Sequence, residues 1–136
     1  MTQEEKQLLL KDLCGRVIHN TKVRVIGDWF YEEREPYDST LTFMIMKTFE
    51  ENDNLSLIVK PYLRPMSSMT TDEEYEYHQC KNIDYSEICE MEHKKILETT
   101  ALCFSRAIDW LNKKGFDYRG LIEKGLALEA PEGMYK

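Results

Sequence analysis

A chain of 136 residues with 42% apolar and 32% charged residues is long enough to bury one core without disulfides or metal. Those fractions are globular values and exclude a wholly disordered chain. The formal net charge of −7 disfavours general charge-driven binding to nucleic acid or anionic membrane, but leaves room for a local basic patch.

The opening Met1-Thr-Gln-Glu-Glu5 has neither the basic nor the apolar region of a signal peptide. No stretch approaches the roughly 18 apolar residues of a spanning helix. Cys14, Cys80, Cys89 and Cys103 are scattered without paired spacing and read as reduced thiols. The expectation is one cytoplasmic, soluble domain over residues 1–136, with no membrane contact.

Thr2-Gln-Glu-Glu5 fits a capping box, and Leu8, Leu9, Leu10 and Leu13 supply an apolar stripe, which predicts a helix over about 3–14 stopped by Gly15. Val23 and Val25 alternate with Lys22 and Arg24 in a strand pattern, after a turn at His19-Asn20-Thr21. A long acidic loop is expected over Asp28–Ser39, carrying Trp29, Phe30, Tyr31 and Tyr37. Thr40–Phe49 reads as a second strand with Leu41, Phe43 and Ile45 on one face. After a polar turn, Leu55–Val59 reads as a third. Short connections favour an antiparallel meander.

Lys60–Met69 holds two prolines and reads as an ordered connector, pinned by Tyr62, Leu63 and Met66. Thr71-Asp-Glu-Glu74 repeats the capping-box logic and predicts a short helix over about 72–80, with a break at Asn82-Ile-Asp84. A long helix is expected from about Ser86 to Lys114, ended by Gly115. Stepping 100° per residue puts Cys89, His93, Ile96, Thr100, Phe104, Ala107 and Leu111 on its inner face, widened by Leu97, Ala101 and Ile108. A last helix is predicted through Tyr118–Ala130, stopped by Pro131. The segment from Phe116 to Leu128 should fold back beside Trp110, leaving Pro131–Tyr135 to meet a partner.

Three segments carry a resemblance: the opening Met1–Arg16, the string Lys60-Pro-Tyr-Leu-Arg-Pro-Met-Ser-Ser-Met-Thr70, and the tail from Asp109-Trp-Leu-Asn112 to Gly125-Leu-Ala-Leu-Glu-Ala-Pro-Glu-Gly-Met-Tyr135. Together they resemble small uncharacterised proteins of gut anaerobic bacteria and their phages or mobile elements. The resemblance covers roughly half the chain. It implies an accessory protein and supplies no activity or catalytic residue.

Chemistry-bearing motifs are sparse. His78, Cys80, Cys89 and His93 are metal-capable, but their spacing lacks the paired knuckles of a zinc site, and core packing is the preferred reading of Cys89 and His93. No nucleophile elbow or nucleotide loop is present, and the acidic runs are explained by turns and helix starts. No catalytic residue, metal or cofactor is assigned. One charged group stands out: Arg16, Lys22, Arg24, Lys60 and Arg64, with Trp29 and Tyr62 to stack beside them. Such a patch suits a nucleotide, a short single strand or an acidic protein, with cross-strand ion pairing as the plainer alternative.

The expected fold is α+β: an N-terminal helix, a three-stranded antiparallel meander, and a helical C-terminal half packed on one sheet face. The leading expectation for function is a non-enzymatic, phage- or mobile-element-linked accessory protein acting by protein–protein interaction, with an unknown protein or itself as a homodimer. The alternative is a small ligand- or nucleotide-binding protein using the cationic and aromatic patch. An enzyme ranks third.

Overall fold

The computed structural model describes residues 1–27, 35–52, 56–81 and 92–135. Helix α1 (Gln3–Arg16) starts in the anticipated box: the Glu5 amide donates to the Thr2 hydroxyl, and the Thr2 amide to the Glu5 carboxylate. Leu9, Leu10 and Leu13 are buried. Gly15 does not stop this helix. It lies inside it, where a Cβ would come within 2.9 Å of the Asn112 amide nitrogen. The chain leaves through a 3-10 turn at Val17–His19 that ends on Asn20 in the left-handed region.

Strand β1 (Lys22–Gly27) buries Val23 and Val25, as its alternation predicts. Strand β2 (Tyr37–Thr40) takes the end of the segment expected to be loop, and pairs antiparallel with β1, Arg24 opposite Asp38. Most of that expected loop, with Trp29, Phe30 and Tyr31, lies outside the described residues.

The predicted second strand is a helix, α2 (Phe43–Glu51). Leu41, Phe43 and Ile45 fit a period of two, but Leu41, Ile45 and Phe49 fit a period of four, and these three are the buried ones. Phe43 and Met44 face outward, at 67% and 65% exposure. Thr42 decides the start by accepting the Ile45 amide at 3.2 Å. Lys6 of α1 closes the other end, donating to the Glu50 and Asn52 carbonyls.

Strand β3 (Leu57–Leu63) begins later and runs further than expected, straight through Pro61. Its antiparallel partner is β1, with Val23 opposite Pro61. Parallel pairing with β4 (Leu128–Glu129) starts only at Tyr62. Pro61 therefore precedes the second neighbour, where a residue with no N–H is tolerated. The fold is α+β, but the meander is replaced by a four-stranded mixed sheet in the order β2-β1-β3-β4.

One sheet face is covered by α1, α2 and the loop residues Leu121, Leu126 and Ala127, which share a core with Val23, Val25, Leu57, Val59 and Leu63. Helix α3 (Thr71–Lys81) and helix α4 (His93–Lys114) pack on each other, and α4 also touches α1. The capping residue of α3 is Thr70, one earlier than predicted: the Glu73 amide donates to the Thr70 hydroxyl and the Thr70 amide to Glu73. The predicted break at 82–84, the start of the long helix and Cys89 lie outside the described residues.

Helix α4 is rotated relative to the expected face. It buries Cys103, Ala107, Leu111 and Asn112, while Leu97 (58%), Phe104 (60%) and Ile108 (39%) face outward and His93 is exposed. Small inward residues bring a helix close to its neighbours, and here Trp110, near the same face, meets Tyr77 of α3 with ring centroids 5.8 Å apart. Gly115 ends α4 at φ +79°, as predicted.

The predicted last helix is instead a series of turns leading to β4. Asp117 organises them, its carboxylate accepting the Leu121 and Ile122 amides at 2.8 and 3.0 Å. The tail expected to be free is docked. The Tyr135 ring lies over Gly115, where a Cβ would meet it at 2.7 Å. Its hydroxyl accepts the Lys22 amide and donates to the Tyr62 carbonyl, tying β1 to β3. Among the described residues no helix is long and apolar enough to cross a membrane.

Candidate functional site

The polar residues gather in three places, and the proposed cationic patch is divided among them. The first lies at the end of β3. Arg64 donates two parallel bonds to the Glu73 carboxylate, at 2.7 and 2.8 Å, and a third to the Ser68 carbonyl. Its guanidinium sits 4.2 Å from the Phe116 ring centroid, and the other partner of that ring is Trp110, stacked at 5.7 Å. The fold-back of Phe116 onto Trp110 is thus present, with Arg64 completing the sandwich. The Arg64 guanidinium, and then the Thr70 amide and hydroxyl, hold the Glu73 carboxyl well below its ordinary value, at about 2, against the opposing cost of burial.

Beside this pair opens a cleft of about 620 Å³, walled by Arg64, Thr70, Glu73, Lys114 and the tail from Glu129 to Tyr135. It offers shape without a reactive set, because its guanidinium is already bound bidentately. Burial raises the Tyr135 phenol above its ordinary value, opposed by the Lys22 amide and the Arg16 charge, so the tail keeps a neutral hydroxyl at neutral pH.

The Arg64–Glu73 pair makes a pH prediction. A depressed carboxyl stabilises the fold above its unfolded value near 4.5, and that contribution disappears as pH falls through about 2. Glu73→Gln should cost about 1–2 kcal/mol at pH 7, the difference from wild type shrinking towards zero as the pH approaches 2. Urea unfolding at pH 7, 4 and 2.5 measures it. A constant difference across that range would mean that the charge of Glu73 contributes nothing.

The second place centres on a buried pair that contains Arg16, which was expected on the surface. Asp12 accepts the Arg16 Nε and Nη2 donors at 2.7 and 3.1 Å, and Arg16 Nη2 also donates to the Phe116 carbonyl. Arg119 Nε lies 3.3 Å from the same carboxylate. Both guanidiniums flank the Tyr118 ring, 5.2 and 5.1 Å from its centroid, and the Tyr118 hydroxyl donates to Asn112. This cluster joins α1 to the C-terminal turns and is closed to solvent at Asp12 and Arg16.

The third place is the sheet face away from the core. It brings together Lys22, Arg24, Lys60 and Tyr62 from the anticipated set. Arg24 stands opposite Lys60 in the register and donates to the Tyr62 hydroxyl at 3.4 Å, which donates to Asp38 at 2.8 Å. Lys22 donates to the Thr40 hydroxyl. The Tyr62 oxygen raises the Arg24 pKa above its ordinary value. Arg16 and Arg64 are absent from this face, and Trp29 lies outside the described residues. The cross-strand pairing of Arg24 with Asp38 is present, whereas Lys22 and Lys60 have no ion-pair partner among the described residues.

His78, Cys80 and His93 do not form part of any three-residue group able to hold a metal among the described residues. Glu73 as the partner of Arg64, Asp12 and Arg119 were missed by sequence reasoning, and Tyr135 was expected to be free. The i, i+4 spacing of Asp12 and Arg16 and the i, i+3 spacing of the Thr70-x-x-Glu73 box were the available signals. No protein-family model, no curated protein and no solved structure matches this chain.

Proposed function

We propose that this chain is a non-enzymatic interaction protein that docks another protein on the outer face of α4. The observation that supports this reading is the row Leu97, Ala101, Phe104 and Ile108. These residues follow one another at steps of four, three and four, all outward, on a helix whose other side is already packed. Such a contiguous apolar stripe, unlike scattered exposed residues, is characteristic of interaction sites. A role as a phage- or mobile-element-linked accessory protein goes with this reading through the resemblance of the Lys60–Thr70 and C-terminal segments.

A second reading rests on the Arg24, Lys60 and Tyr62 face, where a half-neutralised cationic pair beside an aromatic residue suits a nucleotide or short single strand. The test uses two variants. Leu97→Glu/Phe104→Glu should lose a captured protein partner that Arg24→Glu/Lys60→Glu retains. A melting rise with a nucleotide, lost in the second variant and kept in the first, would reverse the order. Arg64→Glu is unsuitable as a test of the patch, since it would break the Glu73 pair and the Phe116 contact.

A further inference from the structure

We infer that the partner on this face is a second copy of the chain, docked as an antiparallel α4–α4 pair about a two-fold axis. The inference rests on the reading of α4 as a docking face and names its occupant. The stripe is self-complementary: Leu97 and Ile108 are equally far from the midpoint between positions 102 and 103, and so are Ala101 and Phe104. Reversing a second helix about that midpoint sets each Phe104 over an Ala101 and each Leu97 over an Ile108. A large side chain facing a small one lets the helices approach to the usual 8–10 Å. A two-fold pair requires that each residue and its counterpart exchange roles across the axis, which this spacing satisfies.

Charge follows the same symmetry. At 100° per residue, Lys94 and Asp109 lie on the same flank of the stripe. Both are exposed, and neither has an ion-pair partner among the described residues. In an antiparallel two-fold pair, like flanks meet. Lys94 of one copy then comes within about 3 Å, measured along the axis, of level with Asp109 of the other, at a rise of about 1.5 Å per residue. The pairing occurs twice. A parallel two-fold pair would bring opposite flanks together and leave Lys94 of one copy about 22 Å along the axis from Asp109 of the other, at about 1.5 Å per residue, so the charges also select the direction. The outer strands of the sheet, β2 and β4, are a different route to self-association, and one that does not use Phe104.

Light scattering and sedimentation of the full chain between about 1 and 100 µM test the pair. The expected species is a dimer of twice the 16.2 kDa chain mass. Phe104→Glu should give a monomer with an unchanged far-ultraviolet dichroism spectrum. Lys94→Glu should weaken the dimer about fivefold or more, since it turns two attractions into two repulsions, and Lys94→Glu/Asp109→Lys should restore it. Because both of those residues are exposed, the charge exchange remains decisive even if Phe104→Glu misfolds. A dimer that survives both Phe104→Glu and Lys94→Glu would overturn the inference and move the contact to the sheet edges. A monomeric wild type would also overturn it. If that monomer still captured a different protein through Phe104, the docking reading would stand without self-pairing; if it captured none, both would fall.

Discussion

Asp12→Asn should destabilise the fold by about 3–5 kcal/mol, the range for breaking a buried ion pair from one side. Asp12 and Arg16 are both fully buried, and Arg119 approaches the same carboxylate, so one negative charge serves two guanidiniums. Among the described residues, Arg16 Nη1 and Arg119 Nε have no hydrogen-bond partner, and the Asp12 charge nearby is what balances them. Without the carboxylate, the fully buried Arg16 keeps the Phe116 carbonyl and the Tyr118 ring but no counter-charge among the described residues, with the partly exposed Arg119 beside it. Arg16→Met should cost less, because Asp12 keeps Arg119 and an unpaired donor is removed. Urea unfolding of the two variants gives the order. Equal losses, or a loss below about 0.5 kcal/mol for Asp12→Asn, would show that the cluster contributes little.

Gly27→Ala should be nearly as damaging, about 3 kcal/mol or more. Gly27 has φ +107°, and a Cβ there would lie 1.9 Å from the Ser56 carbonyl oxygen. That oxygen belongs to backbone at the start of β3, opposite the last pair of the β1–β3 ladder, Gly27 with Leu57. A side-chain neighbour can swing away, but a backbone carbonyl moves only if the ladder opens. The expected result is a melting temperature lower by roughly 10 °C, with faster amide exchange at Ile26 and Ile58. Protection unchanged at both positions would place the strain elsewhere.

What the sequence made legible was local. Thr2 and Glu5 announce α1, Val23 and Val25 announce β1, and Gly115 marks the end of α4, because each signal acts within a turn or a strand. The α+β class follows from such signals. Failures arose where two periods coincided or where distant residues decided. Ile45 belongs to both a two-residue and a four-residue pattern, and the Thr42 cap settles it as helix. Pro61 is admitted to β3 because β4, arriving from the far end of the chain, pairs only from Tyr62. The projection of α4 found a wide apolar arc but not its inward half, which depends on where α3 and α1 lie. The patch divided for a related reason: Arg16 is claimed by Asp12 and Arg64 by Glu73, and only Arg24, Lys60, Tyr62 and Lys22 share a face.

The tyrosine that ties β1 to β3 also sets a timetable. Tyr62 and Tyr135 are separated by 73 positions, which a ribosome covers in roughly 4–15 s at 5–20 residues per second. For most of that interval the nascent sheet has β1 and β3 but lacks β4 and the Phe116 carbonyl that receives Arg16, and for all of it the hydroxyl on Lys22 and Tyr62. Local signals can form α1 early, yet its buried arginine waits a hundred residues for that acceptor. Completion of the fold therefore waits for the segment from Phe116 to Tyr135, and the half-made sheet is the species a chaperone would meet.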